Sequence, residues 1–322
     1  VTACDSYTWN DSTYTQSGIY SYNGQNNFSN DYSMSFDGTA NKYITLSNPI
    51  NFGYNSFTVS IDCYLNAFEG NDPENYSYIV GVPLVGATND HGFKIQTLSS
   101  NVNNGGFSAH INDAGNQYFN LIEIDNSDSI NVILNKWYNL TIVVDRDNDI
   151  FKFYVDGNLI GSEVISIYFG DVDSGVPISI GHMSANNTSR LNGQTDNLHI
   201  WDKALSIQEI QQYMNCPPVG SESGLVGYWN FEEGSGNTVL DLTLNGNNGA
   251  INGATYDINV PTQSCALTNS YGCDSVAVIN LTINNTDTSY TSVTACDSVV
   301  WNGTTYTQSG TYSYSGTSNN YS

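Results

Sequence analysis

The sequence predicts an all-β chain: a large antiparallel β-sandwich carrying one short helix, together with a small β-sandwich module that recurs. Three observations predict it. Apolar and polar residues alternate in many short runs, the period of half-buried strands. Tyr is the dominant aromatic at 23 residues, and alongside abundant Gly, Asn, Ser and Thr it suits twisted strands joined by turns. The opening stretch also returns: residues 1–22 and 293–314 are identical at 17 of 22 positions, 292 residues apart. Such a duplication reads as one period of a tandem array plus the start of the next copy, and array members are more often structural or binding units than free-standing enzymes.

Composition narrows the function. A length of 322 residues favours two domains. Seven Lys plus Arg against 31 Asp plus Glu give a net charge of −24, which repels nucleic acid and anionic membranes. Apolar residues make up 39%, enough for a real core, and no stretch approaches the roughly 20 apolar residues of a membrane helix. The six cysteines, Cys4, Cys63, Cys216, Cys265, Cys273 and Cys296, include no CxxC pair, and the four His are scattered. Zinc is disfavoured; disulfides in an oxidising, extracellular setting fit better.

Taken in order, residues 1–30 alternate as strands, with Tyr7, Trp9 and Tyr14 about a turn at Asn10-Asp11-Ser12; the second copy has Asn302-Gly303 there, a strong hairpin signal. Two or three strands alone do not make a stable domain. A partner segment lies at 264–292, where Val276, Val278, Leu281 and Ile283 mark a strand and Cys273-Asp274-Ser275 repeats the Cys-Asp-Ser signature. We therefore expect 1–30 and 264–292 to form one small immunoglobulin-like sandwich, stapled by Cys4–Cys273, with 31–263 inserted and 293–322 opening the next repeat. Cys296 would have its partner in a further copy.

Within 31–263, FTVSIDCYL (57–65) puts Phe57, Val59, Ile61 and Cys63 on one face and Thr58, Ser60 and Asp62 on the other. Cys63 thus reads as a buried free thiol. Further strands are expected at 77–86, 91–98, 105–111, 136–146, 149–161 and 177–182, with hairpin chemistry at Asp156-Gly157-Asn158. The one helix lies in WDKALSIQEIQQYMN (201–215): Ser206 and Glu209 form a capping box, Ile207, Ile210, Gln211 and Met214 share a face, and Pro217-Pro218 follow the end.

SFDG (35–38), FTVSIDCYL (57–65), KWYNLTIVVD (136–145), FKFYVDGNLIG (151–161) and GQTDNLHIWDKALSIQEIQQYM (193–214) together resemble the laminin-G-like, concanavalin-A-like jelly roll. More narrowly, the set resembles copies in large secreted and surface proteins of Bacteroidetes-type bacteria, whose giant adhesin-like proteins also carry repeats resembling CDS..W..TYTQSGTY. In that family a segment like SGLVGYWNFEEGSGNTVLDLTLNGNNGAINGATY precedes SFDG; here it follows the helix, at 223–256. We expect 224–256 to supply strands to the same sandwich, as a circular permutation. Cys216 and Cys265 bracket it, and a bridge between them would bring its two ends together.

The resemblance implies a calcium ion held by an acid near the SFDG turn and by the Asp opening the last strand. The matching positions are Asp37 and Asp196, with Asn41 in the stretch Ala40-Asn41-Lys42 where an acid is usual; Lys42 would weaken the site. Glucanases of this fold carry E-x-D-x-x-E on one strand. Here Glu123-Ile124-Asp125-Asn126-Ser127-Asp128 ends in a shorter acid and reads as an acidic loop, so no catalysis is expected. Asp145, Asp147 and Asp149 have a calcium-loop spacing but read as a solvated hairpin turn. The loops 69–78, 87–92, 171–175 and 182–190 are rich in Asp, Asn, Tyr and His, groups that can read sugar hydroxyls. Ser12, Ser129, Ser275 and Ser298 resemble O-glycosylation sites of Bacteroidetes-type hosts.

The expectation is a non-enzymatic, extracellular, cell-surface repeat protein: an adhesin or filament unit whose partners are adjacent copies of the repeat and polysaccharide or cell-surface glycans, with no nucleic acid and no membrane insertion. Multivalency would make weak single sites sufficient. A purely structural stalk and an accessory region of a secreted carbohydrate-active enzyme are the alternatives.

Overall fold

The structure, a computed structural model, describes all residues except 10–11, 23–28, 69–76, 83–90, 99–104, 114–118, 126–131, 167–168, 183–188, 266–276, 285–290 and 314–322. The chain divides into two compact units, Val1–Tyr22 with Val276–Ser322, and Asn23–Ser275.

In the first unit, β1 (Thr2–Cys4), β2 (Tyr7–Trp9), β3 (Ser12–Tyr14) and β4 (Gly18–Tyr22) come from the start of the chain. The second unit runs from β5 (Ser33–Asp37) and β6 (Tyr43–Leu46) through β7 (Phe57–Leu65), β8 (Tyr78–Gly81), β9 (Gly92–Leu98), β10 (Gly106–Asn112) and β11 (Phe119–Asp125). It continues with β12 (Trp137–Asp145), β13 (Ile150–Val155), β14 (Asn158–Val164), β15 (Ser179–Ile180), β16 (Asn192–Trp201) and helix α1 (Ile207–Asn215). It closes with β17 (Leu225–Trp229), β18 (Thr238–Val239), β19 (Gly249–Asn252) and β20 (Thr255–Asp257). The first unit then resumes with β21 (Ala277–Asn284), β22 (Val299–Trp301) and β23 (Thr304–Tyr306).

The second unit is an antiparallel sandwich. One sheet has the order β14-β13-β12-β7-β16-β5-β20, with β17 also on β16; the other has the order β11-β10-β9-β8-β15-β6-β19-β18. Between them lies a core that includes Phe36, Ile44, Val59, Ile61, Cys63, Ile95, Phe107, Ile142, Phe153, Ile200 and Trp229. The alternation along β7 sets its side: Phe57, Val59, Ile61, Cys63 and Leu65 all face the core. Cys63 is buried as expected, and burial pushes its thiol pKa up.

The segment after the helix is integral to both sheets. β17 and β20 join the first sheet beside β16 and β5, and β19 pairs with β6 in the second. Trp229 and Phe231 enter the core, and Trp229 Nε1 donates to Asn247 O at 2.9 Å. Tyr228, the alternate of Trp229, faces the opposite side of the sheet, and a register shift in the β16–β17 pairing brings Leu225 to that side as well. Cys216 and Cys265 form a disulfide across a sequence separation of 49 residues.

The first sheet is covered on both faces. On its far side Ile210 of α1 and Leu225 and Tyr228 of β17 pack with Val143, Tyr154 and Trp201. Thr58, Ser60 and Asp62, the polar alternates of β7, are therefore buried too. They are matched by other polar groups: Thr141 Oγ1 donates to Ser60 Oγ at 2.8 Å, and Leu205 N to Thr58 Oγ1 at 3.0 Å. In α1, the Ser206–Glu209 capping box is present. Its inner face is Ile210 with Tyr213 against Trp201, ring centroids 4.6 Å apart; Ile207, expected inside, is 39% exposed. The β13–β14 turn uses Asp156 and Gly157 at φ 48° and 68°, the paired left-handed geometry that favours glycine.

In the first unit β21 lies between β1, parallel, and β4, antiparallel. Ile279, Leu281 and Ile283 are buried against Ala3, Tyr7, Trp9, Tyr14 and Tyr20. The hairpins β2–β3 and β22–β23 are separate two-stranded sheets. Cys4 and Cys296 are both exposed and do not bridge each other; Cys273 lies outside the described residues.

Candidate functional site

The outer face of the second sheet gathers side chains suited to a hydroxyl-rich ligand. On β9 and β10 the apolar alternates Phe93, Ile95, Phe107, Ala109 and Ile111 enter the core. Lys94, Gln96, Ser108, His110 and Asn112 therefore project from the other face. Register makes them neighbours: His110 is opposite Lys94, Ser108 opposite Gln96, and Tyr78 of β8 opposite Gln96. On the far side Ser108 pairs with Glu123 of β11, whose side chain is exposed.

Hydrogen bonding across this face is incomplete. Ser108 Oγ and His110 Nε2 are 3.1 Å apart. The Gln96 Oε1 and Tyr78 hydroxyl atoms are buried and have no hydrogen-bond partner among the described residues. Unmatched buried polar atoms are costly and need a reason. Burial, and secondarily the Lys94 charge, push the His110 pKa down to about 3. The imidazole is therefore neutral near pH 7, one nitrogen donating and the other accepting. Neutral His, Gln and Ser beside one exposed carboxylate can both donate to and accept from hydroxyl groups.

A second recess, about 560 Å³, is lined by Tyr54, Asn55, Ser56, Arg146, Asp147, Asp202, Lys203 and Ala204. Its cations are already engaged. Arg146 donates to Phe169 O at 3.0 Å and Gly170 O at 2.7 Å, and Lys203 pairs with Glu209 at 3.0 Å.

The residues assigned to calcium do not come together. Asp37 sits opposite Asn192 at one end of the β5–β16 pairing, and Asp196 lies four residues further along β16, about 13 Å away at strand rise. Asp37 is exposed, accepts from Thr39 and lies 3.9 Å from Lys42; Asn41 takes a left-handed turn with φ 63°. Asp196 is instead buried opposite Asp62. Both oxygens of Asp62 are taken, by Asn139 Nδ2 at 2.8 Å and Asn197 Nδ2 at 3.0 Å. Calcium wants six to eight oxygens, and among the described residues no three His, Cys, Asp or Glu converge. The residues present do not fit the ion.

Other expected positions are placed as follows. Glu123 is on a strand rather than in an acidic loop, because Ile122 and Ile124 need the core; Asp128 lies outside the described residues. Asp145 closes its hairpin by accepting from Asn148, as a turn residue does. In 171–175, Asp173 holds the Phe52–Gly53 turn by accepting both backbone N–H groups. The loops 69–76, 87–90 and 183–188 are outside the described residues. Ser298 is exposed ahead of β22 and Ser12 begins β3, whereas Ser129 and Ser275 are not described. The polar face of β9 and β10 had a local signal in HGFKIQTL and GGFSAHI, but only register joins the two.

Residues 37–211 match the model of the concanavalin A-like lectin/glucanases superfamily, a laminin-G type. The chain belongs to that superfamily. Among solved structures it is similar to a candidate carbohydrate-binding protein of Bacteroides ovatus, at 18% identity and a TM-score of 0.52, covering 73% of this chain and 62% of that one. It is also similar to the heptameric SAP-like pentraxin of Limulus polyphemus, at 16% identity and a TM-score of 0.49, covering 74% and 98%. The chain thus spans about three fifths of the Bacteroides ovatus protein. The likeness to the Bacteroides ovatus protein shows the fold. Comparison with curated protein sequences returns no match. Within the superfamily, this chain places the strands 225–257 after the helix and outside the matched span.

Proposed function

We propose that the jelly roll is a non-catalytic glycan-binding module of an extracellular, cell-surface repeat protein. The observation that carries this is the outer face of β8–β11, where Gln96 and Tyr78 keep unmatched buried polar atoms beside the Ser108–His110 pair and Lys94. The superfamily description, which names lectins, and the description of the Bacteroides ovatus protein support the same direction. The Cys216–Cys265 disulfide supports an oxidising compartment. The 17 identical positions between 1–22 and 293–314 support a tandem array, with the jelly roll inserted in a repeat module of immunoglobulin-like type. An array makes weak single sites effective through multivalency.

The test is a glycan array on the chain, followed by titration of any polysaccharide that binds. The Gln96→Ala and His110→Ala variants should each weaken binding about tenfold or more, one good hydrogen-bond contact being worth roughly that factor. An array without hits, or affinity unchanged in both variants, would remove the reading in favour of a spacer. Hydrolysis of a glucan that is lost in Glu123→Gln would replace it with an enzyme.

A further inference from the structure

We propose that Tyr64 and Trp137 form a second polysaccharide-binding surface, on the outer face of the first sheet, which takes a neutral hexopyranose chain by stacking its sugar rings. Tyr64 of β7 and Trp137 of β12 are directly opposite in register. Their neighbours Cys63, Leu65 and Tyr138 enter the core, so both rings project from the outer face. The ring centroids are 5.6 Å apart, with the planes at 54°. Both side chains are half-buried, so ring surface stays open to water. Neither belongs to the apolar cluster between the sheets or to the one under α1 and β17. Towards α1 the same face is covered: Thr58, Ser60, Thr141 and Trp201 are buried. The ring pair lies where that cover ends.

The surroundings hold the rings in place and set the ligand class. Trp137 Nε1 donates to Asn259 Oδ1 at 3.4 Å, and Asn259 Nδ2 donates to Gln194 Oε1 at 3.1 Å. Asn259 is itself fixed: its carbonyl accepts from Ser33 Oγ at 2.7 Å, and its N–H donates to Asp257 Oδ1 at 2.8 Å. Gln194 is the cross-strand neighbour of Tyr64 on its other side, so rings and amide form one row across β12, β7 and β16. Side chains held in this way lose little freedom when a ligand binds. Aromatic faces with a few fixed polar groups are the usual lining of a ligand site, and two rings supply the contact area that stacking needs. The polar groups of the row are neutral amides, which donate to and accept from hydroxyl groups. The adjacent cation, Lys136, is engaged by Asp156 at 3.1 Å. With a net charge of −24 the chain repels an anionic polymer. The chemistry of the row therefore fits uncharged sugars. The proposal shares its ligand class with the glycan reading and rests on it to that extent, but it uses none of the β8–β11 residues and lies on the other sheet.

The test is affinity electrophoresis of the full chain through gels containing a soluble mixed-linkage β-glucan, a galactomannan or, as the anionic control, polygalacturonate. Retardation by at least one neutral polymer is expected, and none by polygalacturonate. Trp137→Ala and Tyr64→Ala should each weaken binding about fivefold or more, the scale of one aromatic contact. Trp137→Phe, which keeps a ring but not the bond to Asn259, should retain most of the affinity. Hydroxyl-radical footprinting of the unaltered chain gives a readout that no variant's folding can disturb: the neutral polymer should protect Tyr64 and Trp137 from oxidation. Retardation by polygalacturonate alone or by no polymer, unchanged affinity in both ring variants, or no protection at the two residues overturns the proposal. Gln96→Ala in the same gels separates the two surfaces. Loss there with the ring variants unaffected keeps the β8–β11 reading and overturns this one; loss in the ring variants alone does the reverse.

Discussion

Asp62 on β7 and Asp196 on β16 face each other as a cross-strand pair, and both side chains are buried. Like charges directly opposite destabilise a sheet. Asp62 accepts two amide hydrogen bonds, while Asp196 accepts Asn197 N on Oδ1 at 2.8 Å and has no partner for Oδ2 among the described residues. Burial pushes the Asp62 pKa up to about 7, against the two amides and with a further upward push from Asp156. Burial, then the Asp62 charge and more weakly Glu232, raise Asp196 well above the ordinary carboxylate range. Burial and the facing carboxylate thus favour the protonated acid on this pair.

The stability of the second unit should therefore fall as pH rises. Both pKa values are raised above their unfolded values, so the folded state keeps protons that the unfolded chain releases above about pH 4. The contribution is fully present below that point and is lost as pH climbs through about 7. Asp196→Asn removes the second acid while keeping its shape. Its melting temperature should exceed that of the native chain at pH 8 and change less between pH 5 and 8. Each tenfold change in proton affinity corresponds to about 1.4 kcal/mol, so the difference is measurable by calorimetry. Parallel pH profiles for the two proteins would show that the pair is not the source.

Glycan affinity, in contrast, should be flat across the same range. His110 is held neutral by burial and by Lys94, with a pKa near 3. Its charge does not change between pH 5 and 8, so a ligand reading it as a neutral donor and acceptor sees one state. A dissociation constant that rises sharply between pH 7 and 5.5, near the ordinary histidine value, would mean that His110 titrates in the open and does not form the floor of the site.

The contrast between these groups shows what sequence alone discloses. The strands of β7 and β12, the turn at Asp156-Gly157 and the capping box at Ser206 and Glu209 are local patterns, and each is present. The role of 225–257 was also legible, because its likeness to a strand-bearing segment came with a mismatch in order. Asp62 was placed on the polar alternate of β7, which is correct, but its burial was not legible. It depends on α1 and β17 covering that face, a tertiary fact without a local signature. The same limit misplaced the calcium set. Asp37 and Asp196 are on paired strands, yet the register sets them four residues apart along β16, and register is not written in either strand by itself.

Reduction of the Cys216–Cys265 bridge should destabilise the second unit without unfolding it at room temperature. The bridge closes a sequence separation of 49 residues that contains β17 to β20. The chain-entropy model gives about 4 kcal/mol for a loop of that length, with 2–4 kcal/mol typical in practice. The Cys216→Ser, Cys265→Ser double variant should unfold at a lower urea midpoint with a slope equal to or steeper than that of the oxidised chain, since the unfolded chain without the bridge is less compact. A midpoint equal to that of the oxidised chain would mean that the loop is already constrained in the unfolded state.

Trp229→Ala tests whether the segment after the helix is part of the sandwich or a trailing strap. Trp229 is fully buried, lies in the core between the sheets, and donates Nε1–H to Asn247 O at 2.9 Å. Its removal leaves a cavity and an unmatched carbonyl, and large-to-small changes of this kind cost about 3–5 kcal/mol. Val59→Ala on β7, at the centre of the same core, removes a smaller side chain and provides the internal comparison. If 225–257 completes the sheets, Trp229→Ala should be the more damaging of the two, and unfolding should remain a single transition by fluorescence and circular dichroism. A loss below about 1 kcal/mol, the ordinary range for a surface change, or an early separate transition confined to the variant's 225–257 segment, would show that those strands sit on the sandwich without being needed by it.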